Sequence, residues 1–299
     1  MSVTFADTVC LTVFEHWDDD AERRHWLRAV EALVAAGFTA APPTLGVWRR
    51  HDRVLGAVRG VPRAAMPGTA VAVRTVRTVL GAAEQPDDPT GGFAAEAASL
   101  GVLCGRLHVA LDGAFGRWPG DPAGWSARVT ADVRRRHPQL AERADVRRVL
   151  DELATLPVPG SVIRGHGDFC LGRVARTSGG WVLVEPGEPG AAPADAAVGG
   201  EPLGARRSPM ADVADMLWSF GRAAAAGLAE HEREEGVPGL GARSRAEAWE
   251  RRCRRAFIAA YLGVPGVAAL VPRDRAALRT VATAFELERA VRDVTAGEP

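Results

Sequence analysis

The sequence predicts an α+β protein in two parts, a small strand-and-helix unit followed by a larger, mainly helical one. Three observations carry this. Up to about Val61, β-branched and aromatic runs flank one stretch of helical periodicity. After the Pro62 to Gly68 punctuation the pattern turns helical almost to the end of the chain. Within the helical part, the apolar runs Val162-Ile163 and Trp181 to Glu185 bracket one glycine-rich loop, Arg164 to Arg173. The expected division is 1–63 and 64–299.

In chain order, Thr8 to Glu15 is β-branched and aromatic and reads as a strand. Asp18-Asp19-Asp20 supplies an acidic N-terminus for a helix through about Ala36, with Trp26, Leu27, Val30, Leu33 and Val34 at helical spacing and Gly37 as its stop. Thr44 to Trp48 and Val54 to Val61, joined by Arg50-His51-Asp52, read as a hairpin. Helices are then expected over Ala70 to Leu80, Ala94 to Phe115, Trp125 to Arg136 and Gln139 to Leu156, with Leu100, Leu103, Leu107 and Leu111 as the stripe of the second. Pro186 to Arg207 has no apolar period and reads as a long loop. Pro209 opens a helix running to Leu228, and Arg245 to Leu262 and Arg273 to Val294 complete the set.

Composition sets bounds on function. With 47% hydrophobic and 25% charged residues, 299 residues hold ample material for a core. Basic and acidic residues balance at 37 each, so nucleic acid and anionic membrane are not expected partners. No apolar run approaches the ~18 residues of a membrane span, and no basic segment leads into an apolar one after Met1. Cys10, Cys104, Cys170 and Cys253 form no C-x-x-C pair, and reduced thiols in a cytoplasmic protein are the expectation. The chain contains no lysine and no asparagine, so Schiff-base chemistry, a lysine base and asparagine metal ligands are all excluded.

The loop is the candidate site. Glycines on both sides of His166 allow a tight turn and place Asp168 at the start of a loop. A carboxylate there suits a group that orients a hydroxyl or accepts its proton, and equally suits an ordinary polar turn. His166, Asp168 and Cys170 alternate, but three ligands on one short run make a weak zinc site. The plainer reading of Trp218 and Trp249 is core packing, and that of Glu286 and Glu288 a solvated helix face.

The run His166-Gly167-Asp168-Phe169-Cys170-Leu171-Gly172-Arg173, then Trp181 to Glu185, then Gly187-Glu188-Pro189 resembles the second half of the aminoglycoside phosphotransferases, and within them most of all the actinobacterial maltokinases. Arg206 to Phe220 and Ala284 to Ala290 extend the resemblance. It implies a two-lobed protein-kinase-like fold with a reduced N-lobe and a mainly helical C-lobe. It also implies Asp168 as the catalytic-loop carboxylate and Glu185 as the metal ligand. Arg173, Glu185 and Glu188 are implied on the cofactor side, and His166, Asp212, Trp249, Glu250, Glu286 and Glu288 on the acceptor side. The cofactors of an active member would be ATP and Mg²⁺.

The chain departs from that pattern at several points. The phosphate-contacting lysine should fall near Thr12, where there is none. The amide metal ligand expected five residues after Asp168 is Arg173, and a guanidinium cannot ligate Mg²⁺. Glu185-Pro186 replaces the usual metal motif, and little chain precedes Thr8 to supply a Gly-rich cover. The expectation is a pseudokinase that binds a protein partner or a sugar-like ligand. The alternative is an active kinase for maltose, an amino sugar or an aminoglycoside-like hydroxyl.

Overall fold

Strands drawn only from between Ser2 and Gly60 build an antiparallel four-stranded sheet of order β1-β2-β4-β3. Its members are β1 (Ser2–Phe5), β2 (Val9–Val13), β3 (Thr44–Arg50) and β4 (Arg53–Gly60). In the register Cys10↔Arg59, Leu11↔Val58, Thr12↔Ala57, successive residues fall on opposite faces. Cys10, Ala57 and Arg59 are buried, whereas Leu11 and Val58 are half-buried. The computed structural model describes residues 2–5, 9–13, 29–42, 44–51, 53–62, 65–81, 92–184, 206–235 and 241–296. Helix α1 is described over residues 29–35, and buries Ala29, Val30 and Leu33.

The remainder is helical around two small sheets. Helix α2 (Gly68–Gly81) follows the two-residue strand β5 (Met66–Pro67) and packs on α7 (Pro209–Glu235). Helix α3 (Phe93–Phe115) buries the expected leucine stripe and packs on α8 (Ala242–Leu262). The last helix, α9 (Arg275–Ala296), lies against α7 and against α4 (Pro122–Arg136). Fully buried Phe, Tyr and Leu side chains such as Phe220, Phe257, Tyr261 and Leu107 each stabilise the fold by about 1.5–3 kcal/mol. Phe93, Phe220, Trp249 and Phe257 contact one another edge-on or tilted, with centroids 5.4–6.4 Å apart.

Local sequence explains the helix ends. Asp121 accepts from Gly124 N at 2.9 Å and Pro122 fills the first turn of α4. The expected helix Gln139 to Leu156 is two, α5 (Pro138–Ala141) and α6 (Ala144–Ala154). Arg143 stands between them in an extended conformation, its guanidinium paired with Asp145 at 2.7 Å. That pair holds the Asp145 carboxyl down at about 2.

Several strands, β5 among them, were not legible as such. Strand β1 precedes the expected first strand, and β6 (Trp118–Pro119) and β10 (Arg206–Arg207) flank β7 (Ser161–Arg164) on either side. The end of the expected loop, Arg206-Arg207, is therefore paired chain. The expected run Trp181 to Glu185 overlaps β9 (Gly180–Leu183), which forms a hairpin with β8 (Val174–Thr177), a strand that was not expected. Leu183 N donates to Ala40 O at 2.7 Å, tying this hairpin to the turn after α1.

Candidate functional site

The loop after β7 is suspended from one carboxylate. Asp212, in the first turn of α7, accepts from His166 N at 2.7 Å and Gly167 N at 2.8 Å. His108 Nε2, on α3, donates to the same carboxylate at 2.9 Å, and His108 Nδ1 meets the Tyr261 hydroxyl at 3.0 Å. All of these side chains are buried. Burial by itself pushes the Asp212 carboxyl up, but the hydrogen bond and charge of His108, with His166, hold it at about 2. The close approach explains Gly165: a Cβ there would stand 3.0 Å from Asp212 Oδ2. Gly167 has φ of 90°, a left-handed conformation that a side chain would strain.

Asp168 follows, 6% exposed. Arg173 Nε donates to its Oδ2 at 2.9 Å, and Arg289 Nη1, from α9, donates to its Oδ1 at 2.6 Å. The Cys170 thiol lies 3.7 Å from Oδ1, and burial, then the Asp168 charge, push that thiol up to about 12, so it is not a nucleophile. The ionic system continues along α7 and α9. Asp215 Oδ1 lies 3.4 Å from both Arg289 Nη1 and Arg292 Nη2. Asp293 Oδ2 accepts from Trp218 Nε1 at 2.6 Å, and its Oδ1 stands 3.6 Å from Arg289 Nε. Burial raises Asp215 to about 7 against the pull of Arg289, Arg207 and Arg292. Burial disfavours the Arg289 charge, but Asp215 and Asp168 outweigh it and raise its pKa.

The residues expected on the acceptor side fall in two groups. His166, Asp212, Trp249 and Glu288 are buried. His166 Nδ1 accepts from Asp168 N at 3.3 Å, so its ring braces the loop. Glu288 is paired with Arg207 at 2.9 Å and Arg128 at 3.1 Å, and Arg207 reaches Gly167 O at 3.4 Å. Trp249 sits in the aromatic core, and its Nε1 lacks a hydrogen-bond partner among the described residues. Glu250 and Glu286 remain half-exposed and converge on Arg254, at 3.6 Å and 2.8 Å. Glu185 and Glu188 lie outside the described residues. Among the described residues no three His, Cys, Asp or Glu side chains converge as a metal site.

Sequence reasoning did not single out Arg289, Asp215, Arg207 or His108. Arg289 and Asp215 fall inside the runs Ala284 to Ala290 and Arg206 to Phe220 but carried no role there, because the contacts Arg289–Asp168 and Asp215–Arg292 span 121 and 77 residues of chain. His108 carried a faint one, a polar residue next to Leu107 in the buried stripe of α3.

No family model matches the chain. Among solved structures, a glucosamine kinase in complex with glucosamine, ADP and inorganic phosphate superposes with a TM-score of 0.74. It is 22% identical, and the match covers 97% of this chain and 72% of that one. A second crystal form of glucosamine kinase gives 0.71 at 23% identity, over 97% and 73% of the two chains. A GDP complex of aminoglycoside 2′-phosphotransferase-IIIa gives 0.46 at 13% identity, over 97% and 88%. The chain has the kinase-like fold of the glucosamine kinase structures.

Proposed function

We propose that the chain is a degenerate, maltokinase-like member of this fold that binds a sugar-like ligand and has lost efficient phosphoryl transfer. The observation that carries the reading is the pairing of both Asp168 oxygens with guanidinium groups, Arg173 at 2.9 Å and Arg289 at 2.6 Å. A catalytic-loop carboxylate must turn an oxygen to the acceptor hydroxyl. Here the oxygens are turned to two buried arginines.

The described residues do not fit Mg²⁺. Arg173 stands where the resemblance expects an amide ligand, and a guanidinium at that point repels a divalent cation. Each lost positioning or charge-stabilising element is worth ~10²–10³ in rate. One such loss brings a kinase turnover of ~1–100 s⁻¹ to ~1 s⁻¹ or below. Thermal unfolding with ATP and Mg²⁺, and separately with glucosamine and maltose, is the test. Stabilisation by a sugar and none by the nucleotide supports the reading; saturable stabilisation by Mg·ATP counts against it.

A second reading is favoured by the similarity to glucosamine kinase over 97% of the chain. In it the protein is an active ATP- and Mg²⁺-dependent kinase for maltose, an amino sugar or an aminoglycoside-like hydroxyl. Turnover on a sugar panel that disappears in Asp168→Asn would establish it.

A further inference from the structure

A cleft of about 450 Å³ opens between the turn after α1, the first half of α3 and the β8–β9 hairpin. It lies within the size range of small-molecule sites. None of the residues discussed at Asp168 lines it. One wall is apolar, with Phe38 and Leu103 nearly buried and Val102 and Val182 half-buried. The other is cationic. Arg106 is exposed at the cleft and has no ion pair or hydrogen bond among the described residues. Arg176 is committed through Nε to Glu96 at 2.9 Å and through Nη1 to Thr177 O, which leaves Nη2 without a partner among the described residues. Glu96 is saturated in turn, since Trp181 Nε1 donates to it at 2.7 Å.

The geometry points to this cleft as a binding site for a small organic anion, a molecule with one carboxylate or phosphate-ester group on a flat apolar body. Arg106 and Arg176 against Glu96 leave one net positive charge, which selects a single acidic group. Two guanidinium groups suit a planar or tetrahedral oxyanion better than a neutral polar group. The apolar wall takes the body of the ligand. Such a ligand also touches the strand that follows Arg173: Arg176 lies on β8, and Val184 N closes the hairpin base on Arg173 O at 3.0 Å.

Calorimetric titration of the full chain with benzoate and with phenyl phosphate, and with neutral benzamide as control, tests the site. Saturable binding of the two anions, weakening as salt is raised, is expected, with benzamide binding at least roughly tenfold more weakly. Arg106→Ala is expected to weaken the anions by roughly tenfold. Ser99→Trp is the second variant, because the Ser99 hydroxyl bonds only Ala95 O of its own helix and a Trp there fills the cleft. It is expected to abolish binding while circular dichroism and Tm stay those of the parent. Equal affinity for benzoate and benzamide, or undiminished anion binding in both variants, overturns the assignment.

Discussion

Arg173 Nε stands 2.9 Å from Asp168 Oδ2 and both side chains are 8% exposed. They are five positions apart, so a single turn of chain brings its own cation onto the carboxylate that a phosphotransferase would direct at its acceptor. The pair is reinforced from outside the loop by Arg289, and α9 thus takes part in the site. Arg173 Nη1 is buried with no hydrogen-bond partner among the described residues. Leaving such a donor unmatched costs about 1–3 kcal/mol, which the ion pair with Asp168 must offset.

Replacing that cation by the amide that the resemblance implies is the most direct intervention. Arg173→Asn is expected to destabilise the protein by about 3 kcal/mol, because it breaks a buried pair while Arg289 still holds Asp168. It is also expected to make ATP stabilise the chain more with Mg²⁺ than without. Differential scanning fluorimetry with ATP, plus and minus the metal, reads both effects. An unchanged nucleotide response would mean that Arg173 does not oppose a metal at this site.

Asp215 gives the site a pH signature. Its carboxyl is raised to about 7 by burial, against about 3.9 in an unfolded chain. Between these values the folded protein binds a proton that the unfolded chain does not, so stability from this group is full below ~4 and declines as pH rises to ~7. The span is worth on the order of a few kcal/mol. Asp215→Asn is therefore expected to gain on the parent steadily from pH 4.5 to 7. Urea unfolding of both proteins across that range checks it, and parallel profiles would refute the protonated Asp215.

Much of this frame was readable from local pattern. The leucines at 100, 103, 107 and 111 gave α3, the proline at 209 gave the start of α7, and the glycines around His166 gave the loop. These signals are short-range, set by backbone preference and apolar period. The two-residue strands β6 and β10 could not be read, because they exist only through pairing with β7. The site was half legible for the same reason. Arg173 is five residues from Asp168 and its conflict with a metal shows in the text, whereas the partnership of Asp168 with Arg289 is set by how α9 packs. Trp249 and Asp212 carried resemblance to an acceptor site, and burial gives them packing and loop-bracing work.

The brace at Asp212 predicts the opposite pH slope. Its carboxyl is held at about 2, below the unfolded value of about 3.9. Its stabilisation is present above ~4 and is lost as pH falls through ~2. Asp212→Ala leaves two loop N–H groups and His108 without their acceptor and is expected to cost about 3–5 kcal/mol at neutral pH. Guanidinium unfolding at pH 7 and at pH 2.5 measures it. The deficit should shrink at the lower pH, and a deficit independent of pH would deny the ionised carboxylate its role.

We propose that Glu250 and Glu286, expected on the acceptor side, separate an amino-sugar ligand from a neutral one. Two carboxylates around one arginine leave a net charge of minus one, and all three side chains are 21–29% exposed, so a ligand can reach them. Burial raises the Glu286 carboxyl despite Arg254, so this group loses its charge earlier than an exposed glutamate as pH falls. A ligand ammonium placed there needs Glu286 ionised, and its affinity should therefore rise with pH through the range where that carboxyl titrates. Glu286→Gln is expected to weaken glucosamine by roughly tenfold, the loss of one charge-assisted contact, and to leave maltose binding unchanged. Titration of both sugars against both proteins decides the matter. If the substitution weakens maltose as much as glucosamine, the carboxylate acts on the shape of the site; if it weakens neither, the sugar binds elsewhere.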